Sequence, residues 1–143
     1  MSRLPIHFFP EDISYTLKQK LLVRGWINQT ILTEGYRLGE LSFIFCSDEY
    51  LLKINREYLN HDTYTDIITF DNSEEDKVIT GDIFISIERV KENSRKFNVN
   101  ERDELHRVMI HGTLHLLGYP DKGKEAKKVM TAKEDHYLLL REF

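Results

Sequence analysis

Two histidines four residues apart, followed at three-residue steps by a glycine and an aspartate, constrain this chain more than any other feature: His111-Gly-Thr-Leu-His115-Leu-Leu-Gly118-Tyr-Pro-Asp121. On an α-helix, positions i and i+4 lie on one face, one turn apart. Two imidazoles so placed can grip one metal ion, so the segment is expected to be helical. Gly118 can end that helix in the left-handed conformation that glycine adopts without strain. The chain then turns back, and Asp121 can reach the same ion. Two histidines, one carboxylate and an open fourth position form the layout of a catalytic zinc site rather than a structural one. The histidines must be neutral to donate a lone pair, so affinity should fall as pH drops toward their pKa of about 6.5.

Around this motif the apolar pattern predicts an α+β fold. Leu17, Leu21, Leu22 and Ile27 stand near helical spacing and predict a helix over about 13–30, with Gly25 a weak point late in it. Residues 39–47 are rich in aromatic and β-branched side chains and predict a strand. Ser47 or Asp48 can cap a short helix through Leu51, Leu52 and Ile54. A polar loop over 60–64 leads to Thr65-Asp-Ile-Ile-Thr-Phe70, read as a strand inside the sheet. After the acidic loop 71–77, residues 78–86 read as one or two strands. Three further helices are expected: 88–97 on the surface, one capped by Asn98 or Asn100 and running to Leu117, and one from about 123 to 141. The helix carrying the histidines is apolar well round its circumference and is expected to be the central one. The expectation is a single mixed sheet of about four strands with helices packed on it.

Length and composition limit the alternatives. At 143 residues, one domain over 1–143 is expected, and 41% apolar with 31% charged residues is a globular balance. No apolar run reaches the ~20 residues needed to span a bilayer. The N-terminal stretch, broken by Pro5 and Pro10, does not read as a signal peptide. The one cysteine, Cys46, excludes an intramolecular disulfide and reads as a small buried core residue. A cytoplasmic protein is expected. The net charge of −4 argues against a protein that coats nucleic acid non-specifically. Lys122, Lys124, Lys127, Lys128 and Lys133 gather after the motif and read as the solvated face of a terminal helix.

The spacing of the motif resembles the extended zincin signature, in which His-Glu-x-x-His continues to a third ligand. Gly112 stands where those peptidases carry the glutamate that serves as general base, so the peptidase chemistry lacks its base. The fuller resemblance is to the YbeY family, whose signature is similar to His-Gly-x-Leu-His-Leu-x-Gly-Tyr-Asp-His. Every fixed position through Tyr119 is filled here, and Pro120 stands where the family has an aspartate. A second family stretch, similar to Leu-Asn-x-x-Tyr-Arg-x-Lys-Asp-x-Pro-Thr-Asp-Val-Leu-Ser-Phe, is matched by the segment from Ile54 to Phe70. A third, Gly-Asp-Ile before an apolar strand, is matched by Gly81-Asp82-Ile83. The resemblance covers about Leu41 to the C-terminus.

That resemblance implies a single-strand-specific, metal-dependent endoribonuclease acting in ribosomal RNA maturation, at the 3′ end of the small-subunit RNA, and in ribosome quality control. It implies one Zn²⁺, ribosomal RNA and the small subunit as partners, and neither DNA nor a membrane. The third family histidine is Asp121 here, so the expected metal ligands are His111, His115 and Asp121. Two histidines and a carboxylate also suit other divalent transition metals. His136 is a distant substitute for Asp121 with no spacing argument behind it. Leu59 stands where the family has an arginine that could hold a phosphate bidentately. Arg56, one helical turn earlier, is the replacement the sequence offers. No residue stands out as general base; Asp66, Asp82 and His61 are polar positions able to act as base or to support a ligand, and each also has an ordinary structural reading. A ribosome-associated binding factor with little catalysis, or a metal hydrolase of a small molecule, are the competing functions. RNA cleavage lost in His115→Ala separates the enzyme from the binder.

Overall fold

The structure, a computed structural model, describes residues 4–143. Strand β1 (Ile6–Pro10) is followed by α1 (Lys20–Thr33), β2 (Arg37–Cys46), α2 (Asp48–Leu59), β3 (Ile67–Asp71), β4 (Val78–Ser86), α3 (Ile87–Lys96), α4 (Glu101–Leu116) and α5 (Lys124–Leu139). The four strands make one mixed sheet in the order β1-β2-β4-β3, with β1, β2 and β4 parallel and β3 antiparallel to β4. This is the α+β arrangement expected, with two departures at the sheet's margins. Strand β1 was not foreseen. Strand β3 is an edge strand rather than an interior one, because β4 is its sole partner among the described residues.

The two faces of the sheet are covered unequally, and the alternation of side chains along the strands decides how. Leu41, Phe43, Phe45, Ile83 and Ile85 point to one face and form the main core with α1 and α4. Cys46 and Ile68 point to the other and pack with Leu51 and Ile54 of α2. The Cys46 thiol lies 3.5 Å from the Ile85 carbonyl, and burial, ahead of the neighbouring carboxylates, pushes its pKa up to about 12. It is the inert core residue expected.

Helix α1 begins seven residues later than its pattern suggested and turns a different face inward. Val23, Trp26, Ile27 and Ile31 are buried, whereas Leu21 and Leu22 are exposed. Burial of a large apolar side chain contributes ~1.5–3 kcal/mol, and the stripe at 23, 26, 27 and 31 gathers more of it than one through Leu21 and Leu22. Leu17 is buried too, but from an irregular segment ahead of the helix. The Trp26 indole donates to the Tyr137 carbonyl at 2.8 Å and ties α1 to α5.

Helix α4 is central, in contact with α1, α3, α5, β3 and β4. It starts at Asn100, whose side chain accepts from the Asp103 amide at 2.7 Å, and acidic residues in its first turn complement the helix dipole. It crosses the sheet at Gly112. A Cβ there would lie 2.7 Å from Ile67 Cδ1 and 2.9 Å from Ile83 Cγ2, so only glycine lets the helix approach this closely. It ends as the spacing predicted: Gly118 takes a φ of 102°, its amide donates to the His115 carbonyl at 3.0 Å, and the Tyr119 amide donates to the Leu114 carbonyl at 3.1 Å.

Candidate metal centre

Helical geometry aligns three residues of α4 on one face: Arg107, His111 and His115, each one turn from the next. The glycine turn then brings Asp121 back over the helix end. Asp121 Oδ2 lies 3.3 Å from His111 Nε2 and 3.1 Å from His115 Nε2. The potential ligand atoms of all three residues fall within 4.8 Å of one another. A tetrahedron with metal–ligand bonds of ~2.1 Å has edges of ~3.4 Å, close to these separations. The three expected ligands are thus brought together in a geometry that could hold one divalent ion.

The surroundings suit a cation. Burial would raise the Asp121 carboxyl, but the charge and hydrogen bonds of His115 and His111 outweigh it and hold it below the usual carboxylate range. Burial pushes the His111 imidazole down, and the hydrogen bond and charge of Glu134, with Asp66 and Asp121, more than reverse this and leave it raised. A field that favours a proton on His111 favours a metal ion there as well.

Glu134 of α5 is the residue the motif did not reveal. Its Oε2 accepts from His111 Nδ1 at 2.6 Å, which keeps a proton on Nδ1 and leaves Nε2, the atom that faces Asp121, as the one able to give up its proton to a metal ion. Its Oε1 accepts from Arg107 Nη1 at 2.8 Å, while Arg107 Nη2 donates to Asp135 at 2.6 Å. Glu134 is almost fully buried, and this double pairing is what makes a buried charge tolerable. A signal was present in the sequence: Glu134 stands between Met130 and Tyr137 on the buried stripe of α5, where a lone carboxylate demands a partner.

A cleft of about 610 Å³ opens over these groups. Its far wall is the loop between α2 and β3, held by Asn55, whose side-chain amide donates to the Thr63 carbonyl at 2.8 Å. Of the three candidate bases, Asp66 and His61 line the cleft. Burial raises the Asp66 carboxyl against the opposing pull of His111. Asp82 does not reach the cleft: it points to the opposite face of the sheet, accepts from the Asn72 side chain at 3.2 Å, and lies beside Tyr50 and Phe84. His136 is exposed on α5 beside Val129, away from the ligands. Leu59 lines the cleft, whereas Arg56 is turned outward into a 2.5 Å pair with Asp62 and is not part of its wall. The cation the sequence offered in place of the arginine is therefore not at the site. Arg107 is. Gly112 faces Ile67 and Ile83 of the sheet, which leaves no space for a peptidase-type glutamate. Among the described residues no helix is long and apolar enough to cross a membrane.

Comparison with known proteins agrees with this picture. The profile of the family described as Endoribonuclease YbeY matches residues 9–140. An Endoribonuclease YbeY of Cytophaga hutchinsonii is 54% identical over 143 residues, covering 100% of both chains. One from Karelsulcia muelleri is 56% identical over 127 residues, 89% of each chain. A solution structure of a Thermotoga maritima protein superposes with a TM-score of 0.64 at 28% identity, covering 93% of this chain and 86% of that one.

Proposed function

This chain belongs to the YbeY family, and we propose that it is a zinc-dependent endoribonuclease that cuts single-stranded RNA during maturation of small-subunit ribosomal RNA. The observation that carries the reading is the convergence of His111, His115 and Asp121 at the floor of an open cleft, with Glu134 orienting the first of them. The relatives' shared description supplies the RNA and the mode of cleavage; the ribosomal target is what the resemblance to the family in the stretches around His111, Asp66 and Asp82 implies.

A divalent ion held by the three ligands would polarise a phosphoryl oxygen and lower the pKa of water toward ~7. The chain's own residues do the rest. Glu134 fixes the His111 tautomer, so that Nε2 is available without reorganisation. Asp66, with its carboxyl raised by burial and open to the cleft, is the group placed to accept a proton from an attacking water. The exposed loop carrying His61 forms the wall along which a flexible strand can lie.

Metal analysis and an RNA cleavage assay test this together. His111→Ala or His115→Ala should remove stoichiometric metal and cleavage, and Asp121→Ala should weaken binding less completely. Unchanged metal content in both histidine variants would sink the site. Equal cleavage by metal-free and metal-loaded protein would refute the hydrolytic mechanism.

A further inference from the structure

We propose that Arg107 is the phosphate-gripping residue of the cleft, a positive charge delivered from the metal-binding helix where α2 presents Leu59. This rests on the reading of the cleft as an RNA-cleaving site. The residues lining the cleft include four carboxylates, Asp66, Glu104, Asp121 and Glu134, and two permanent cations, Arg107 and Lys122. An entering phosphodiester adds negative charge to this balance and needs a placed donor. Lys122 sits on an exposed loop as a flexible point charge. Arg107 is held on a rigid helix, one turn and ~6 Å along the axis from His111.

The guanidinium is already oriented. Nη1 is fixed on Glu134 and Nη2 on Asp135, so most of its rotamer entropy is lost before substrate arrives. Of its five N–H donors, those two bonds occupy two, and the side chain remains 35% exposed. Asp135 is more than half exposed, so its hold is weak and readily exchanged for a phosphate oxygen, whereas the buried Glu134 keeps its bond. Arg107 thus touches both sides of the chemistry: through Glu134 it supports the metal ligand, and through its open edge it meets the backbone of the RNA.

The test compares wild type, Arg107→Lys, Arg107→Ala, and Leu59→Arg in the Arg107→Ala background. Each is loaded with zinc, and cleavage of a single-stranded RNA oligonucleotide is followed over a range of salt. Arg107→Lys keeps a charge beside Glu134 and should retain metal, yet raise KM ~10-fold or more as the bidentate contact is lost. Arg107→Ala should also make the log–log salt dependence of kcat/KM shallower by ~0.7, the signature of one lost phosphate contact on a single strand. Leu59→Arg, which places a guanidinium on the same cleft, should recover part of the KM. If wild type cleaves and Arg107→Ala shows the same KM and salt slope, or loses activity only in proportion to its metal, the inference is overturned and Arg107 merely supports Glu134. A zinc-loaded wild type that cleaves no RNA overturns the underlying reading, and this inference with it.

Discussion

Acid should destabilise this protein through His106, quite apart from the candidate metal ligands. His106 lies on α4, 3% exposed, with its ring between Trp26 and Phe143 at centroid distances of 5.6 and 5.5 Å. Its Nδ1 is 2.7 Å from Arg141 Nη1. A guanidinium can only donate, so Nδ1 must carry a lone pair and the ring must be neutral. Burial first, then the charges of Arg141 and Arg102, push the pKa from 6.5 to about 4. The unfolded chain takes up this proton near pH 6.5, and the folded chain refuses it until about 4. Stability from this residue is therefore complete above 6.5 and is lost as pH falls through the window. Integrated between pH 7.5 and 4.5 the loss is about 2–3 kcal/mol. At ~2.1 cal/mol/K per residue over 143 residues, that lowers the melting temperature by about 8 °C. His106→Phe keeps a ring in the slot and removes the titration, while Arg141 retains Asp103 and the Leu138 carbonyl, each at 3.0 Å. Urea denaturation at the two pH values, with a chelator present to exclude metal-linked protonation, should show the variant losing about 2–3 kcal/mol less than wild type. Equal losses in the two proteins would refute the assignment.

Substitutions at three further positions probe the site. Glu134→Ala should lower zinc affinity ~10- to 100-fold, read by competition with a chromophoric chelator, while one ion still binds at saturation; unchanged affinity would remove Glu134 from the site. Gly118→Ala forces a non-glycine residue to a φ of 102° and should cost ~1–2 kcal/mol in urea denaturation, with weakened metal binding as Asp121 is displaced; Gly118→Asn should cost less. Gly112→Glu should not create a peptidase. It drives a charged side chain against Ile67 and Ile83 and should destabilise by at least ~3 kcal/mol, so a stable, well-folded variant would contradict the packing described.

What could be read from the sequence was what local physics controls. The pairing of His111 with His115 is fixed by the helical repeat, and the return of Asp121 by the positive φ of Gly118; neither depends on distant residues. Ser47 and Asn100 cap α2 and α4 through bonds to amides three residues on. The misreadings lie where tertiary contacts decide. Leu21 and Leu22 look like a helix face, but the partners that would bury them are taken by Val23, Trp26, Ile27 and Ile31. The short β1 becomes a strand because β2 presents a free edge for it. Asp82 shares a sequence segment with the site, yet strand alternation sends it to the other face from Gly81 and Ile83, which pack toward α4.

The same reasoning explains why the supporting residues were hard to see and which clue pointed to them. Glu134 lies 23 residues from His111, beyond any periodic pattern that could join them. Its position within an apolar stripe was nonetheless an energetic anomaly, since an unpartnered buried carboxylate costs several kcal/mol. Such a residue requires a donor from another element. α4 presents one row of donors, spaced by four, at 107, 111 and 115. A carboxylate buried against that row must meet either the arginine or a histidine, and it meets both. Helix α5, whose lysines were expected to form a solvated face, therefore carries on its buried stripe the carboxylate that pairs with the candidate ligand His111.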